Sequence, residues 1–484
     1  MAEERRFLKA REAFEQMLRF VDQAQEGDLR IDLLEREMLA LLLQVGFQAL
    51  EEHIARCGDG DVGETAPSHD GRTLRRSEEP HERRYVSIFG EHRFPRYVYA
   101  PREGQKVERL AVDERLGMPA GDFSYVLQDW LQRLTLKESF NEAGNSLQML
   151  LGLRPSNRSI EHMNQHLAEP AEEFRTSQGP PDPEQEAELL VYANDCKGVP
   201  MRRPIEERVR RGPRRGKGEK ANQKQMACVG AAYSVDRYVR TSDDILDEVF
   251  RHDRAVDRPR PQNKRLWAEM TQEREGEISN GKTRVFVQQA LDLQARDPTR
   301  QKTVICLMDG EKALWAQQQA WLPRAIGVLD IWHVIERLWA VAYCFHAEQS
   351  PAAARFVEER MRALLEGQVG YVIGYFRRLL HEPQLSAGKR KTISSAITYF
   401  DNNREYMKYD EYLAAGYPIG SGMAEGACRH VVKDRMELTG MRWMLPGAQS
   451  MLHLRAIYLN DDWEDYLEFY VQAEQSRLYR KSAA

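Results

Sequence analysis

The period of apolar positions changes several times along the chain. In the first stretch, Leu34, Met38, Leu41, Leu42, Val45 and Ala49 recur at helical spacing and form one apolar stripe, which predicts helices over residues 1–56. Residues 57–82, with GDGDVGE and single prolines, break the pattern and read as a linker. Alternation through Tyr85, Ser87 and Phe89, a Gly90-Glu91 break, then Phe94, Tyr97 and Tyr99 predicts a β-hairpin within 83–104. Residues 105–176 return to helical spacing. One helix over about 138–151 ends near Gly152, and a second starts after Pro155 with Asn157 or Ser159 as N-cap. This pair is either a helix-turn-helix that reads a DNA major groove or an ordinary packed pair.

A second linker at 177–186 (SQGPPDPEQE) precedes a shorter period. Residues 189–193 form an apolar run ending at Asp195, 227–235 a second strand, and 238–241 a third. A helix over 285–295, a strand over 303–308 ending at Asp309, a helix over 313–321 and a strand over 325–329 ending at Asp330 follow. Three strands joined by short turns, then helix, strand, helix, strand, is the order of an RNase H-like domain, whose first part is expected over 187–332. Helical spacing over 333–413 predicts an insertion. Residues 414–447 carry a Gly420-Ser421-Gly422 turn and a helix with Glu425, and 448–484 read as C-terminal helices. The fold class expected is mixed α/β and α+β: an RNase H-like catalytic core with a helical insertion, behind a mostly helical N-terminal DNA-binding region with a β-hairpin.

Composition narrows the class. The 484 residues are 42% hydrophobic and 30% charged, enough apolar surface for a folded core. The longest uncharged apolar run, 38–50, has 13 residues, short of the roughly 20 a membrane span needs. A charged N-terminus without an apolar segment predicts no secretory signal. No two of the six cysteines lie closer than 32 residues, so no CxxC zinc ribbon forms, and reduced thiols in a cytoplasm are expected. His162 and His166 share a helix face but have no third ligand nearby. The net charge of −5 hides local basic stretches. Residues 202–224 hold ten Lys/Arg against three Glu, and 251–265 hold six against two Asp. Such stripes bind phosphate even on an acidic chain, or are solvated loops.

The acids carry the candidate chemistry. Asp195 and Asp309 end apolar strands, and an open α/β sheet places its site at strand ends. Carboxylates suit Mg²⁺ or Mn²⁺. With Glu425 they can hold two ions about 3.5–4 Å apart, the clamp for phosphodiester displacement. Each acid alone is equally a turn residue or helix cap.

The stretches YANDCKGVPMRR, VGAAYSVDRYVRT, DRPRPQNKRLW, VICLMDGEKALW, GVLDIWHVIERLW and GSGMAEGACRHVVKDRMELTGMRW resemble the ISKra family of bacterial insertion-sequence transposases. These enzymes carry a DDE triad on an RNase H-like fold. The resemblance spans about 189–461 and is looser before it. It implies Asp195, Asp309 and Glu425 as the triad, binding two Mg²⁺ (or Mn²⁺) ions with no zinc, for DNA cleavage and strand transfer at element ends. Cys196 stands where many relatives have glycine, and their N-terminal CxxC ribbon is missing. Asp330 and His333 match a D-x-x-H pattern shared with Mutator-like transposases. His333 then lies near the site, or is a first-turn residue of a helix capped by Asp330. Candidate DNA contacts are Lys197, Arg202 and Arg203 after the first aspartate, then Arg208, Arg210, Arg211, Arg214, Arg215 and Lys217. Arg429, His430 and Lys433 near Glu425 are further candidates, or solvated helix surface. Insertion residues Arg377, Arg378, Lys389, Arg390 and Lys391 either reach DNA or belong to a scaffold face. The partners expected are terminal inverted repeats, target DNA and a second copy or more of the chain, with no membrane. The location expected is the bacterial cytoplasm, at the nucleoid. The alternatives are an RNase H-like metal-dependent nuclease and a domesticated DNA-binding or repressor protein without catalysis.

Overall fold

The computed structural model describes residues 6–27, 29–68, 70–202, 224–250, 258–274, 277–420 and 422–479, without the side chains of Glu26, Arg274, Glu277, Met423, Ala424 and Glu425. The chain divides into two compact units, residues 1–174 with 463–484, and residues 175–462.

The first unit opens with helices Leu8–Glu26 and Ile31–Arg56. Strands β1 (Thr65–Pro67), β2 (Thr73–Arg76) and β5 (Tyr99–Ala100) form a three-stranded antiparallel sheet, and β3 (His81–Ser87) pairs with β4 (Gly90–Arg96). The span expected as linker therefore contains β1 and β2. Ala66 and Leu74 bury against Tyr99, whose hydroxyl also accepts from Val62 N at 2.8 Å. A few apolar side chains suffice to fix these short strands. The hairpin turns at Ile88-Phe89, between paired Ser87 and Gly90, one step before the expected break. Tyr99 leaves the hairpin to pair with β2.

Helices Tyr125–Thr135, Phe140–Leu151 and Asn157–Leu167 share a core of Leu127, Leu131, Leu147 and Ile160. Ser139 and Glu142 form a capping box, Gly152 ends the helix in the left-handed region, and Ser156 caps the next. The N-cap thus lies one residue before Asn157 and three before Ser159, the positions expected from sequence. The C-terminal helix Trp463–Leu478 belongs to this unit. It is held by Trp463 Nε1 donating to Asp129 at 2.8 Å and by the Tyr466 hydroxyl donating to the Leu167 carbonyl.

The second unit is built on a five-stranded mixed sheet in the order β12-β11-β6-β7-β8. Strands β6 (Leu189–Pro200), β7 (Lys224–Val235) and β8 (Gln262–Met270) are antiparallel, while β11 (Thr303–Met308) and β12 (Ile326–Leu329) run parallel to β6. A small hairpin, β9 (Gln272–Arg274) with β10 (Glu277–Ser279), stands apart.

Two sequence expectations change here. The third strand is β8, not 238–241. That segment spends its backbone groups on another turn: Tyr238 N donates to Gly416 O at 3.0 Å and Arg240 N to Leu413 O at 3.3 Å. And β6 does not stop at Asp195 but runs on to Pro200, because β7 keeps pairing with it as far as Lys224.

Residues 331–414 contain no strand. Helices Ile331–Ala342, Pro351–Leu365, Val369–Leu379, Ala387–Asn403 and Tyr409–Ala414 fill it. These helices have no core of their own: Leu338, Met361, Phe376 and Phe400 join the same buried cluster as Val191, Ile305 and Val328 of the sheet. Burial of both apolar faces in one cluster fixes the insertion rigidly to the sheet.

Candidate active site

In β6, Tyr192 and Asn194 point to the helix Gly281–Arg296. The Tyr192 hydroxyl donates to Asp292 at 2.9 Å, and Asn194 and Gln289 exchange amide hydrogen bonds at 3.1 and 3.0 Å. Alternation then turns Asp195 to the opposite face.

The parallel register sets its neighbours. Met308, the last residue of β11, pairs with Asn194 and with Leu329, the last of β12. One residue further along each chain segment come Asp195 in β6, Asp309 just past the end of β11 and Asp330 just past the end of β12. Parallel neighbours lie about 4.8 Å apart with side chains on one face. Three aspartates therefore share one edge of the sheet.

Each is held differently. Asp195 Oδ1 accepts from Cys196 N at 2.6 Å. Asp309 Oδ1 accepts from Glu311 N at 2.9 Å. Burial raises the Asp309 carboxyl above its ordinary range, the Glu311 amide opposes this, and the Asp195 charge adds to it. Asp330, 1% exposed, caps the helix Ile331–Ala342 by accepting from Trp332 N at 3.0 Å, and its Oδ2 lies 3.5 Å from His333 Nδ1. His333 is thus a first-turn residue of the helix that Asp330 caps, and it lies near Asp309 and Asp195. Pairing with Asp330, then the charges of Asp309 and Asp195, push it up to about 9 against its burial. A cationic imidazolium offsets the acids.

Glu425 sits on the helix Gly422–Ala427, and its side chain lies outside the described ones. The next turn, Cys428–Lys433, is π-helical, a rare geometry that recurs at functional sites. Burial, and then the charge of nearby Asp195, raise the Cys428 thiol well above the ordinary thiol range. The turn after Glu425 thus lies beside β6. The carbonyls of Val431 and His430 accept from the buried Arg455, the former at 2.8 Å.

The insertion supplies anchors that sequence reading missed. The Tyr399 hydroxyl donates to Asp309 O at 2.7 Å, and the Tyr409 hydroxyl to Leu329 O at 2.8 Å. Asn403 Oδ1 accepts from Trp315 Nε1 at 2.8 Å. In sequence these tyrosines are indistinguishable from an apolar helix stripe.

The basic candidates separate. Arg203, Arg208, Arg210, Arg211, Arg214, Arg215 and Lys217 lie outside the described residues. Lys197 is half-buried on β6, two residues from Asp195 and on its face. Arg202 is exposed, its N–H donating to Trp443 O at 2.8 Å. Arg429 and His430, 69% and 58% exposed, both turn to Asp434, at 3.6 and 2.9 Å, and Lys433 is exposed. In the insertion, Arg377 pairs with Asp401 at 2.7 Å, and Arg390 donates to the carbonyls of Leu380 and Glu382. Those two are engaged within the insertion, while Lys389 and Lys391 are exposed.

Two carboxylates at the same sheet edge, Asp309 raised by burial and further by the Asp195 charge, are the hard-oxygen donors that fit Mg²⁺ or Mn²⁺. Among the described side chains no three His, Cys, Asp or Glu converge on a metal-sized cage. No described helix is long and apolar enough to cross a membrane.

No family model matches this chain, and no curated protein does. Among solved structures, a Drosophila P element transposase strand transfer complex aligns over 75% of this chain and 85% of that chain, at 10% identity and a TM-score of 0.23. That likeness is too slight to bear on fold or chemistry.

Proposed function

We propose that this chain is a DDE-type transposase with an RNase H-like core, which cleaves DNA at the ends of an insertion sequence and transfers the freed strand. The reading rests on one observation: Met308 pairs with Asn194, so Asp195 and Asp309 each follow the same register pair at the ends of adjacent strands. The sheet order β12-β11-β6-β7-β8 and the ISKra resemblance support it. Asp195, Asp309 and Glu425 would hold the divalent cations, which when bound activate the attacking oxygen and stabilise the leaving one. The chain's own residues supply the rest. The register holds the two aspartates on one face, His333 balances their charge, and Lys197 adds a cation on the Asp195 side. The flanking helices keep the polar row seated at the sheet edge, so orientation is set before substrate arrives.

The test incubates the full chain with Mg²⁺ and DNA carrying the inverted repeats that flank its gene. Joined products are expected. Cleavage without joining would make it a nuclease, and binding alone a repressor. Asp195→Asn, Asp309→Asn and Glu425→Gln should each lower strand cleavage at least ~1,000-fold while DNA affinity stays within about threefold, since the amide keeps the shape and removes the charge. Cleavage that survives all three would refute the triad.

A further inference from the structure

The face of the sheet opposite Asp195 carries two thiols. Strands β6 and β7 are antiparallel, and Cys196 is the register partner of Cys228. Directly opposed residues of an antiparallel pair send their side chains to the same face. The flanking pairs on that face show how near it brings them. Two residues before, Asn194 opposes Gly230, and a Cβ at Gly230 would lie 3.0 Å from Asn194 Oδ1. Two residues after, Gly198 opposes Met226, and a Cβ at Gly198 would lie 3.5 Å from Met226 Sδ. Cys196 and Cys228 fill the place between. Antiparallel partners hold their Cα atoms about 4.5–5.5 Å apart, inside the roughly 4.4–6.8 Å that a disulfide spans. Both thiols are free.

The two differ in access. Cys196 is half-buried, while Cys228 is 2% exposed. A small oxidant reaches the first, and burial screens the second from larger thiol reagents. The Lys282 ammonium, on the first turn of the helix Gly281–Arg296, interacts electrostatically with both. Cys428 also lies near Cys196, but it belongs to the turn after Glu425, and no strand register sets its sulfur opposite.

We propose that Cys196 and Cys228 close a reversible disulfide when the chain meets hydrogen peroxide, and that the bridge shifts the backbone holding Asp195. The Cys196 sulfur attacks one peroxide oxygen and the O–O bond breaks. The other oxygen leaves as water with the thiol proton, and Cys196 becomes a sulfenic acid. The Cys228 sulfur then attacks the Cys196 sulfur. The S–O bond breaks, and the hydroxyl leaves as a second water with the Cys228 proton. Two thiols lose two electrons and one peroxide gains them. The bridge draws the opposed Cβ atoms from about 4.5–5.5 Å to about 3.8 Å. Cys196 N is the donor to Asp195 Oδ1, at 2.6 Å, so the closure moves the amide that orients this carboxylate. The disulfide stands on the strand register alone, whereas its effect on chemistry rests on the proposed role of Asp195.

The experiment treats the full chain with hydrogen peroxide, removes it, and maps the peptides after alkylation in denaturant. A Cys196–Cys228 linked peptide is expected, with an intact mass lower by two hydrogen atoms and both thiols restored by dithiothreitol. In Cys228→Ala, the sulfenic acid at Cys196 has no partner and should be captured by dimedone. Cleavage of element-end DNA in Mg²⁺ should fall at least ~10-fold on oxidation, as a shift of about 1 Å at a reacting centre does, and should return on reduction. Cys196→Ser should cleave like the reduced wild type before and after peroxide. No linked peptide, or Cys196 bridged to Cys428 instead, would overturn the proposal. A bridge that leaves cleavage unchanged would overturn its effect on Asp195. A reduced wild type that forms the bridge but never cleaves DNA would refute the acidic-site reading, and the switch with it, and leave the disulfide standing.

Discussion

The conformation of Asp309 depends on the residue after it, and Gly310→Ala tests that dependence. Gly310 has φ +92°, a region that L side chains rarely adopt, and an added Cβ would lie 2.9 Å from both Asn403 Nδ2 and Leu329 Cδ1. Neither neighbour can yield. Leu329 is fully buried, and Asn403, 2% exposed, is fixed at both ends, donating to Tyr399 O at 2.9 Å and accepting from Trp315. The backbone strain costs about 1–2 kcal/mol and the overpacking about 1–3 kcal/mol, so the variant should lose about 2–5 kcal/mol. Gly440→Ala is the control. It lies in the same unit, has φ +77°, and meets nothing described within 4 Å, so only the strain, about 1–2 kcal/mol, applies. Urea unfolding followed by tryptophan fluorescence reads the difference. With a slope of about 3 kcal/mol per M, Gly310→Ala should lower the midpoint by roughly 1 M and Gly440→Ala by less than half of that. Equal midpoints would refute the claim that Asn403 and Leu329 hold the Asp309 turn.

Tyr399→Phe removes one hydrogen bond to the Asp309 carbonyl and should cost about 1 kcal/mol, lowering the melting temperature by about 2–4 °C; an unchanged melt would mean that the anchor contributes nothing. Asp330→Asn should move the His333 titration, followed by NMR on the metal-free chain, from about 9 toward its ordinary value, and a wild-type midpoint near 6.5 would contradict the described acid row. The sign for stability follows. A histidine raised on folding adds stability that is complete below its unfolded pKa, near 6.5, and is lost as pH rises through about 9. Asp330→Asn should flatten the wild-type decline in urea midpoint between pH 7 and 9.5, and an equally steep decline in the variant would assign it to another group.

What the sequence made legible follows from how each element is stabilised. Residues 189–193 and 303–308 are continuous apolar runs because these central strands are buried on both faces, and they read as strands directly. Strand β8 escaped because its apolar half, Leu266 to Met270, follows a basic stretch, and charge hid the strand. β1 and β2 escaped because three or four residues with one buried side chain leave no period to detect. The aspartates at the strand ends could be picked out one by one, but their common register step could not. Register depends on pairing across 114 residues between Asp195 and Asp309. Gly310 gave no signal either, since the atoms that exclude a side chain there come from Asn403 and Leu329. The pairing of His166 with Glu474, at 3.2 Å, likewise joins residues 308 positions apart, and it gives that histidine a partner that local spacing could not supply.

The three aspartates differ in what they can do because their surroundings differ. Asp330 is committed. Its carboxylate caps a helix, lies beside His333 and is almost fully buried, so its charge is already answered within the chain. Asp195 and Asp309 have no such answer among the hydrogen bonds described for their carboxylates: each accepts from one backbone amide within two residues. Burial raises the Asp309 carboxyl, and the like charge of Asp195 raises it further. A fold that needed only polar turns could relieve the conflict with asparagine at either position. Keeping both acids, and bringing a cationic His333 close to them, costs stability in the free chain unless a further positive charge completes the edge. On the proposed reading, a divalent cation on the two open carboxylates would do so without displacing the helix cap, with Asp330 supporting the row and Asp195 and Asp309 holding the ion.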